Sequence, residues 1–391
     1  MDVGKLKTEY RDALLHNVIP FWEKHSPDRQ YGGYFTCLER DGKIFDTDKF
    51  VWLQGRQVWL FSTLYNRVEK KAEWLDMARL GAGFLARHGH DGHFNWYFSL
   101  TREGQPLVEP YNVFSDCFAT MAFGQLYKAT GDDAHAHIAK STFQNILNRV
   151  DNPKGRFSKV TPGTRPLKGF SLPMILCNLA LEIEHLLPAE VVEETIQAAL
   201  HEVMEVFYQE ESGLILENVK PDGSFSDTFD GRLLNPGHGI EAMWFVMDLA
   251  VRLGKPELIE KATEIVLRTL DYAWDKEHGG IFYFMDIKGA PPQQLEWDQK
   301  LWWVHMETLI SLIKSYQLTG NEKCVDWFER VHAYTWAHFS DAENGEWFGY
   351  LNRRGEVLLP LKGGKWKGCF HVPRGLLQVW KTLELIDLSQ R

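Results

Sequence analysis

The chain has 391 residues, 44% hydrophobic and 25% charged, the balance of a globular protein and not of a disordered, collagenous or coiled-coil one. Its 43 Lys and Arg against 53 Asp and Glu give a net −10, which provides no footing for nucleic acid or an anionic membrane. Aromatic residues reach 13%, with 15 tryptophans, an abundance that suits a sugar-binding cleft as well as a large core.

The opening Met1-Asp2-Val3-Gly4-Lys5-Leu6-Lys7 carries charges where a signal peptide would carry an apolar stretch. No run of about 18 apolar residues follows. Five scattered cysteines (Cys37, Cys117, Cys177, Cys324, Cys369) form no CxxC pair, predicting reduced thiols in a cytoplasmic protein.

In residues 4–24, Leu6, Tyr10, Leu14 and Val18 recur at every fourth position, which predicts an amphipathic helix. A glycine–aromatic start at Gly33-Tyr34 and a polar turn at Asp41-Gly42 then predict a hairpin. A far more apolar helix follows at Phe50–Tyr65. The same three-part unit returns five times. Charged helices are expected at 70–88, 132–149, 188–209, 256–275 and 322–339, and hairpins start at Gly92, Gly155, Gly213, Gly280 and Gly345. The start at Gly155 has the weakest pattern. Apolar helices are expected at Asn112–Tyr127, Phe170–Ile183, Asn235–Leu253, Lys300–Leu318 and Pro373–Ile386. The six glycines lie 58 to 67 residues apart, so the repeat consumes the chain. Closing six helix pairs into a ring buries every apolar helix and leaves the charged ones outside. The expected fold is therefore an all-α (α/α)6 barrel, one domain over 1–391, with short hairpins in the connections. An open helical scaffold would need polar terminal units, and the last helix is as apolar as the others.

In such a ring the inner helices begin at one shared mouth. Asn235-Pro236 reads as an N-cap with proline at the first helical position, which places His238 in the first turn and Glu241 on the same face. His371 sits at the start of the sixth inner helix, with Arg374 just inside. Trp303 and Glu307 share a face of the fifth inner helix, as Trp52 and Arg56 do on the first. Two histidines at one mouth suit proton transfer, since an imidazole titrates near pH 6.5. A helix N-terminus would keep His238 neutral while Glu241 would push the other way and orient the ring. His88, His90 and His93, and likewise His135 with His137, lack the Cys or carboxylate that would complete a metal site, so no metal is expected. The loop Lys362-Gly363-Gly364-Lys365-Trp366-Lys367-Gly368 could cradle a phosphate, yet it lacks Walker spacing.

These segments resemble the N-acylglucosamine 2-epimerase family, known through its mammalian members as renin-binding protein. The resemblance runs over essentially the full length and is carried by Trp52-Leu53-Gln54-Gly55-Arg56, Asn235-Pro236-Gly237-His238-Gly239-Ile240-Glu241, Trp302-Trp303 with Glu307, and Lys367-Gly368-Cys369-Phe370-His371-Val372-Pro373-Arg374. It implies interconversion of N-acetylglucosamine and N-acetylmannosamine, with no cofactor for the chemistry. His238 and His371 would be the acid/base pair and Arg56 the cation facing the developing charge. Glu241 and Glu307 would orient the histidines and bind hydroxyls, Arg374 would support His371, and Trp303 with Trp302 would bind the sugar. Tyr111 is a further substrate-contact candidate. The resemblance also implies a homodimer and stimulation by a nucleotide, usually ATP, acting as an effector. Lys362, Lys365 and Lys367 are the expected effector site. Relatives acting on cellobiose or mannose carry a histidine on the third inner helix, where this chain reads Phe170-Ser171-Leu172-Pro173-Met174.

Three other readings compete. One is an epimerase of an unmodified aldose or disaccharide. Another is an inverting glycoside hydrolase using Glu241 and Glu307, which would have to stand about 6.5–9.5 Å apart. The last is a protein-binding module. Cys369, two residues from His371, is expected to make activity sensitive to thiol-blocking reagents.

Overall fold

The computed structural model describes residues 1–111 and 113–389. Six outer helices alternate with six inner ones. The first outer helix is α1 (Val3–Asp12) continued by α2 (Ile19–His25), joined through a wider π-helical turn at Ala13–Val18. Pro20, which cannot donate to the preceding turn, lies just past that turn and accounts for it. The remaining outer helices are α4 (Ala72–His88), α6 (Asp133–Leu147), α8 (Ala189–His201), α10 (Pro256–Ala273) and α12 (Glu322–Phe339). The inner ones are α3 (Val51–Arg67), α5 (Val113–Thr130), α7 (Ser171–Ile183), α9 (Pro236–Leu253), α11 (Trp302–Thr319) and α13 (His371–Ser389). Inner helices are buried almost all round, because each is backed by an outer helix and packs on its inner neighbours, two of them for α5, α7, α9 and α11. This is the expected (α/α)6 barrel. Asn112, where the second inner helix was expected to start, lies outside the described residues.

The ring closes where Phe370, just ahead of α13, meets Trp59 of α3 with ring centroids 5.4 Å apart. Gly55 lets α3 approach α5 closely, since a Cβ there would stand 2.8 Å from the Phe118 carbonyl oxygen. The six repeat glycines all have positive φ, between 52° and 84°, a conformation that side chains disfavour, and this is why glycine marks each unit. The expected hairpin at Gly155 is not formed. A single 3₁₀ turn, Gly155–Phe157, replaces it, because Arg156, Ser158 and Lys159 supply no apolar alternation to pack.

Short strands at the mouth stitch the first unit to the second and the third through sixth to one another; among the described residues none joins the second to the third. The residues leading into α3 (Lys49–Phe50) pair with Ser99–Leu100 of the second unit, and those leading into α11 (Lys300–Leu301) pair with Tyr350–Leu351 of the sixth. The sixth unit returns to the first through the Lys362 N–H, which donates to the Leu38 carbonyl at 3.0 Å.

Three buried ion clusters reinforce this stitching, each joining an aspartate and a lysine of one unit to an arginine of the next. Asp28 bonds Lys49 and Arg102, both at 2.9 Å; Asp275 bonds Lys300 at 3.0 Å and Arg353 at 3.1 Å; Asp341 bonds Lys362 and Arg40, both at 2.8 Å. Burial alone would raise these carboxyls, but the paired cations overcome it and hold Asp28 and Asp275 at about 2. A carboxylate depressed in the fold contributes stability above its unfolded value near 4, and loses it as the pH falls through the folded value. Each of the two should therefore cost about 2 kcal/mol of unfolding free energy between pH 5 and pH 2. A urea midpoint that stays flat over that range would show that the clusters contribute nothing.

Candidate active site

The inner helices open onto one cavity of 530 Å³ lined by residues of all six units. His238 and His371 both line it. Helix α9 begins as the sequence predicts: the Asn235 side chain accepts from the His238 N–H at 3.2 Å. Helix α13 begins at His371, two residues earlier than expected. Pro373 is tolerated there because the N–H groups of a first turn have no helical partner. The Trp303 indole packs beside both imidazoles, its centroid 5.3 Å from His238 and 5.8 Å from His371. Gly237 makes room for it, since a Cβ there would stand 2.6 Å from the indole.

Each imidazole is held through Nδ1, which leaves Nε2 as the remaining ring nitrogen. His371 Nδ1 is 2.7 Å from Glu307 Oε1, as expected of Glu307. His238 is held differently. Its Nδ1 is 2.9 and 3.1 Å from the two oxygens of Glu217, a residue the sequence reading passed over. Glu241, expected to orient His238, reaches across to Arg374 instead. Arg374 Nη2 also bonds Glu307 Oε1 at 2.6 Å, and Glu307 Oε2 accepts from the Trp244 indole at 2.9 Å.

The two rings differ in charge preference. Burial pulls His238 down, but the charge and hydrogen bond of Glu217 outweigh it, and its pKa is raised. His371 is held well below the ordinary imidazole value by burial, then by Arg56 and Arg374.

Arg56 is the third polar element. Its guanidinium carbon lies 4.3 Å from the Trp52 ring centroid, 4.1 Å from that of Phe118 and 4.7 Å from that of Phe370. Among the described residues it has no carboxylate partner, and its Nε has no hydrogen bond. Burial, then Arg374, lower its pKa to about 9, so it remains a cation at neutral pH. A buried cation without an anion on the wall of a cavity is a ready anion site.

A family model described as N-acylglucosamine 2-epimerase (GlcNAc 2-epimerase) matches residues 33–372. A mouse protein named N-acylglucosamine 2-epimerase is 40% identical over 372 residues, with 93% of this chain and 88% of that one covered. The chain belongs to the N-acylglucosamine 2-epimerase family. A human protein of the same name is 38% identical over 371 residues, covering 93% of this chain and 86% of its own. The fold is shared with the solved cellobiose 2-epimerase from Bacillus thermoamylovorans B4167, at TM-score 0.84, 20% identity, and 97% and 99% coverage.

Several expectations are corrected by the geometry of this epimerase-family site. Glu241 and Glu307 share one nitrogen of Arg374 and have oxygens within 4.8 Å of each other, so they are not an inverting hydrolase pair facing across a cleft. Together with His371 they are the one group among the described residues that gathers three candidate metal ligands, and a metal would have to displace that guanidinium. Tyr111 does not line the cavity; it packs on Phe98 at 5.1 Å. Trp302 does line it.

The effector loop is not an open phosphate cradle. Lys362 is the third member of the buried aspartate–lysine series. Lys367 is fully buried on Glu346, at 2.9 Å. Glu346 stands at positive φ (53°) five residues after Asp341, where the first and fifth units carry Gly33 after Asp28 and Gly280 after Asp275, and its carboxylate also accepts from Trp22 and from the Trp347 N–H. Lys365 alone of the three is exposed, resting on the Phe98 and Trp366 rings. Nor is Cys369 an open target. Its side chain is buried and burial pushes the thiol well above its ordinary value, so thiol reagents have neither access nor thiolate. Tyr283 and Tyr350 line the cavity and went unread in the sequence, and Trp366, read there only as part of the basic loop, lines it too.

Proposed function

We propose that the protein is a 2-epimerase interconverting N-acetylglucosamine and N-acetylmannosamine. The observation that carries this is a pair of imidazoles, each anchored through Nδ1 to its own carboxylate, opening on one cavity beside the unpaired Arg56. Opening of the sugar ring exposes a C1 aldehyde, which acidifies the C2 hydrogen. One histidine removes that proton and negative charge spreads over O1 and O2. The other returns a proton to the opposite face. Each such group contributes about 10²–10⁴-fold, and a cation placed like Arg56 about 3–4 kcal/mol in the transition state. Trp303 stacks on the sugar. An N-acyl substrate is supported by the relatives at 38–40% identity, whereas relatives named cellobiose 2-epimerase stand at 23–26%. It is supported too by the apolar wall that Met174 and Ile175 of α7 present to the cavity.

The reading extends to a single-domain cytoplasmic homodimer, consistent with five free cysteines, that answers to a nucleotide effector without hydrolysing it. No helix among the described residues is long and apolar enough to cross a membrane. Incubation with N-acetylmannosamine in D2O, with and without ATP, tests the proposal by NMR. N-acetylglucosamine carrying deuterium at C2 is expected. No exchange and no epimer under either condition would sink it.

A further inference from the structure

Glu217 lies outside every segment that carries the family resemblance, yet it makes the closest polar contact of His238. Its backbone is pinned between two inner helices. The Glu217 N–H donates to the Leu233 carbonyl, ahead of α9, at 3.1 Å, and its carbonyl accepts from the Phe170 N–H, ahead of α7, at 2.9 Å. Such a carboxylate is fixed by the barrel rather than carried on a free loop.

The two carboxylate–imidazole pairs are built differently. Glu307 spreads its charge over His371, Arg374 and Trp244, and Arg374 is shared in turn with Glu241. Glu217 has no side-chain partner other than His238 among the described residues. The charges around His371 nearly balance: Glu307 and Glu241 against Arg56 and Arg374. Those around His238 are acidic: Glu217 in contact and Glu241 on its own helix, with His371 across the cavity and neutral Tyr283 and exposed Glu296 on the same wall.

We infer that Glu217 is a positioning residue that keeps His238 as the proton-bearing partner and leaves His371 as the base, so two chemically alike imidazoles begin turnover in opposite proton states. The inference rests on the epimerase reading above. In the direction this state serves, the C2–H bond breaks with its proton going to His371 Nε2, and a new C2–H bond forms with the proton on His238 Nε2. The enzyme is left with the two states exchanged, and solvent restores them. The reverse reaction starts from the exchanged state. The raised pKa of His238 and the lowered one of His371 agree with this assignment.

The test is Glu217→Gln and Glu217→Asp, with kcat/KM followed against pH. In Glu217→Gln the alkaline limb, where His238 loses its proton, should move to lower pH. kcat/KM at the optimum should fall by about 10²-fold or more, by analogy with orienting carboxylates behind other catalytic histidines. Glu217→Asp should move the limb back toward wild type. An unmoved limb, whatever the loss of rate, or a rate within about twofold of wild type, overturns the assignment. Should Glu217→Gln fail to fold, ¹⁵N-histidine NMR of the wild-type protein decides, with the two rings assigned from His238→Asn and His371→Asn. His238 should titrate above His371, and equal or reversed midpoints overturn the assignment. Deuterium exchange at C2 by the wild type, run alongside, separates the two failures: its absence removes the epimerase reading itself, while its presence with an unmoved limb removes only the role of Glu217.

Discussion

His371→Asn should lower kcat by about 10³-fold, with the thermal midpoint little changed. The side-chain amide of asparagine can donate to Glu307 Oε1 much as the ring Nδ1 does at 2.7 Å, so the buried cluster of Glu307, Arg374 and Glu241 keeps its hydrogen bonds. What disappears is the second ring nitrogen, and no other titratable group among the described residues both lines the cavity and bonds Glu307. The same substitution at position 238 should act alike. Activity within about tenfold of wild type for either variant would remove the two-histidine scheme.

Arg374→Met should destabilise the fold by about 3–5 kcal/mol, the usual effect of removing one partner from a buried ion cluster. The guanidinium is 1% exposed, bonds both Glu241 and Glu307, and stacks on Phe370 at 4.4 Å. Methionine can fill much of the volume, but it leaves two carboxylates with oxygens within 4.8 Å of each other and no cation between them. One of them should then take up a proton, which raises its folded pKa. A carboxyl raised in the fold loses stability as the pH climbs through that value, so the deficit in urea unfolding should be larger at pH 8 than at pH 5. Adding Glu241→Gln should recover part of the loss, because the repulsion belongs to the pair. A deficit below about 1 kcal/mol, or one independent of pH, would show that Arg374 is not the charge that holds the site together.

Much of this architecture is legible in the chain. Alternation of charged and apolar helices implies a ring, and Asn235-Pro236 places His238 in the first turn of α9 as the structure has it. Less legible is which side chain meets which. Glu241 stands three residues from His238, the spacing of a helical pair, yet its carboxylate reaches Arg374 on another helix. Glu217 is hidden because it sits in a short extended stretch with no helical period, and its partner lies in α9, 21 residues away. Lys362 and Lys367 read as a basic loop because the acids that neutralise them, Asp341 and Glu346, each lie 21 residues earlier. Comparison of Lys362 with Lys49 and Lys300, each preceded by an aspartate 21 or 25 residues back, is the signal that would have exposed it.

The unbonded guanidinium of Arg56 sets fold against activity. A guanidinium walled in by Trp52, Phe118 and Phe370, with no acid bonded to it among the described residues, weakens the empty protein relative to one carrying an aliphatic side chain at that position. Attempts to toughen this barrel for use at high temperature would favour replacing it, and would thereby discard the cation that waits for an oxyanion. Thermal hardening is better sought among the outer helices, away from that wall.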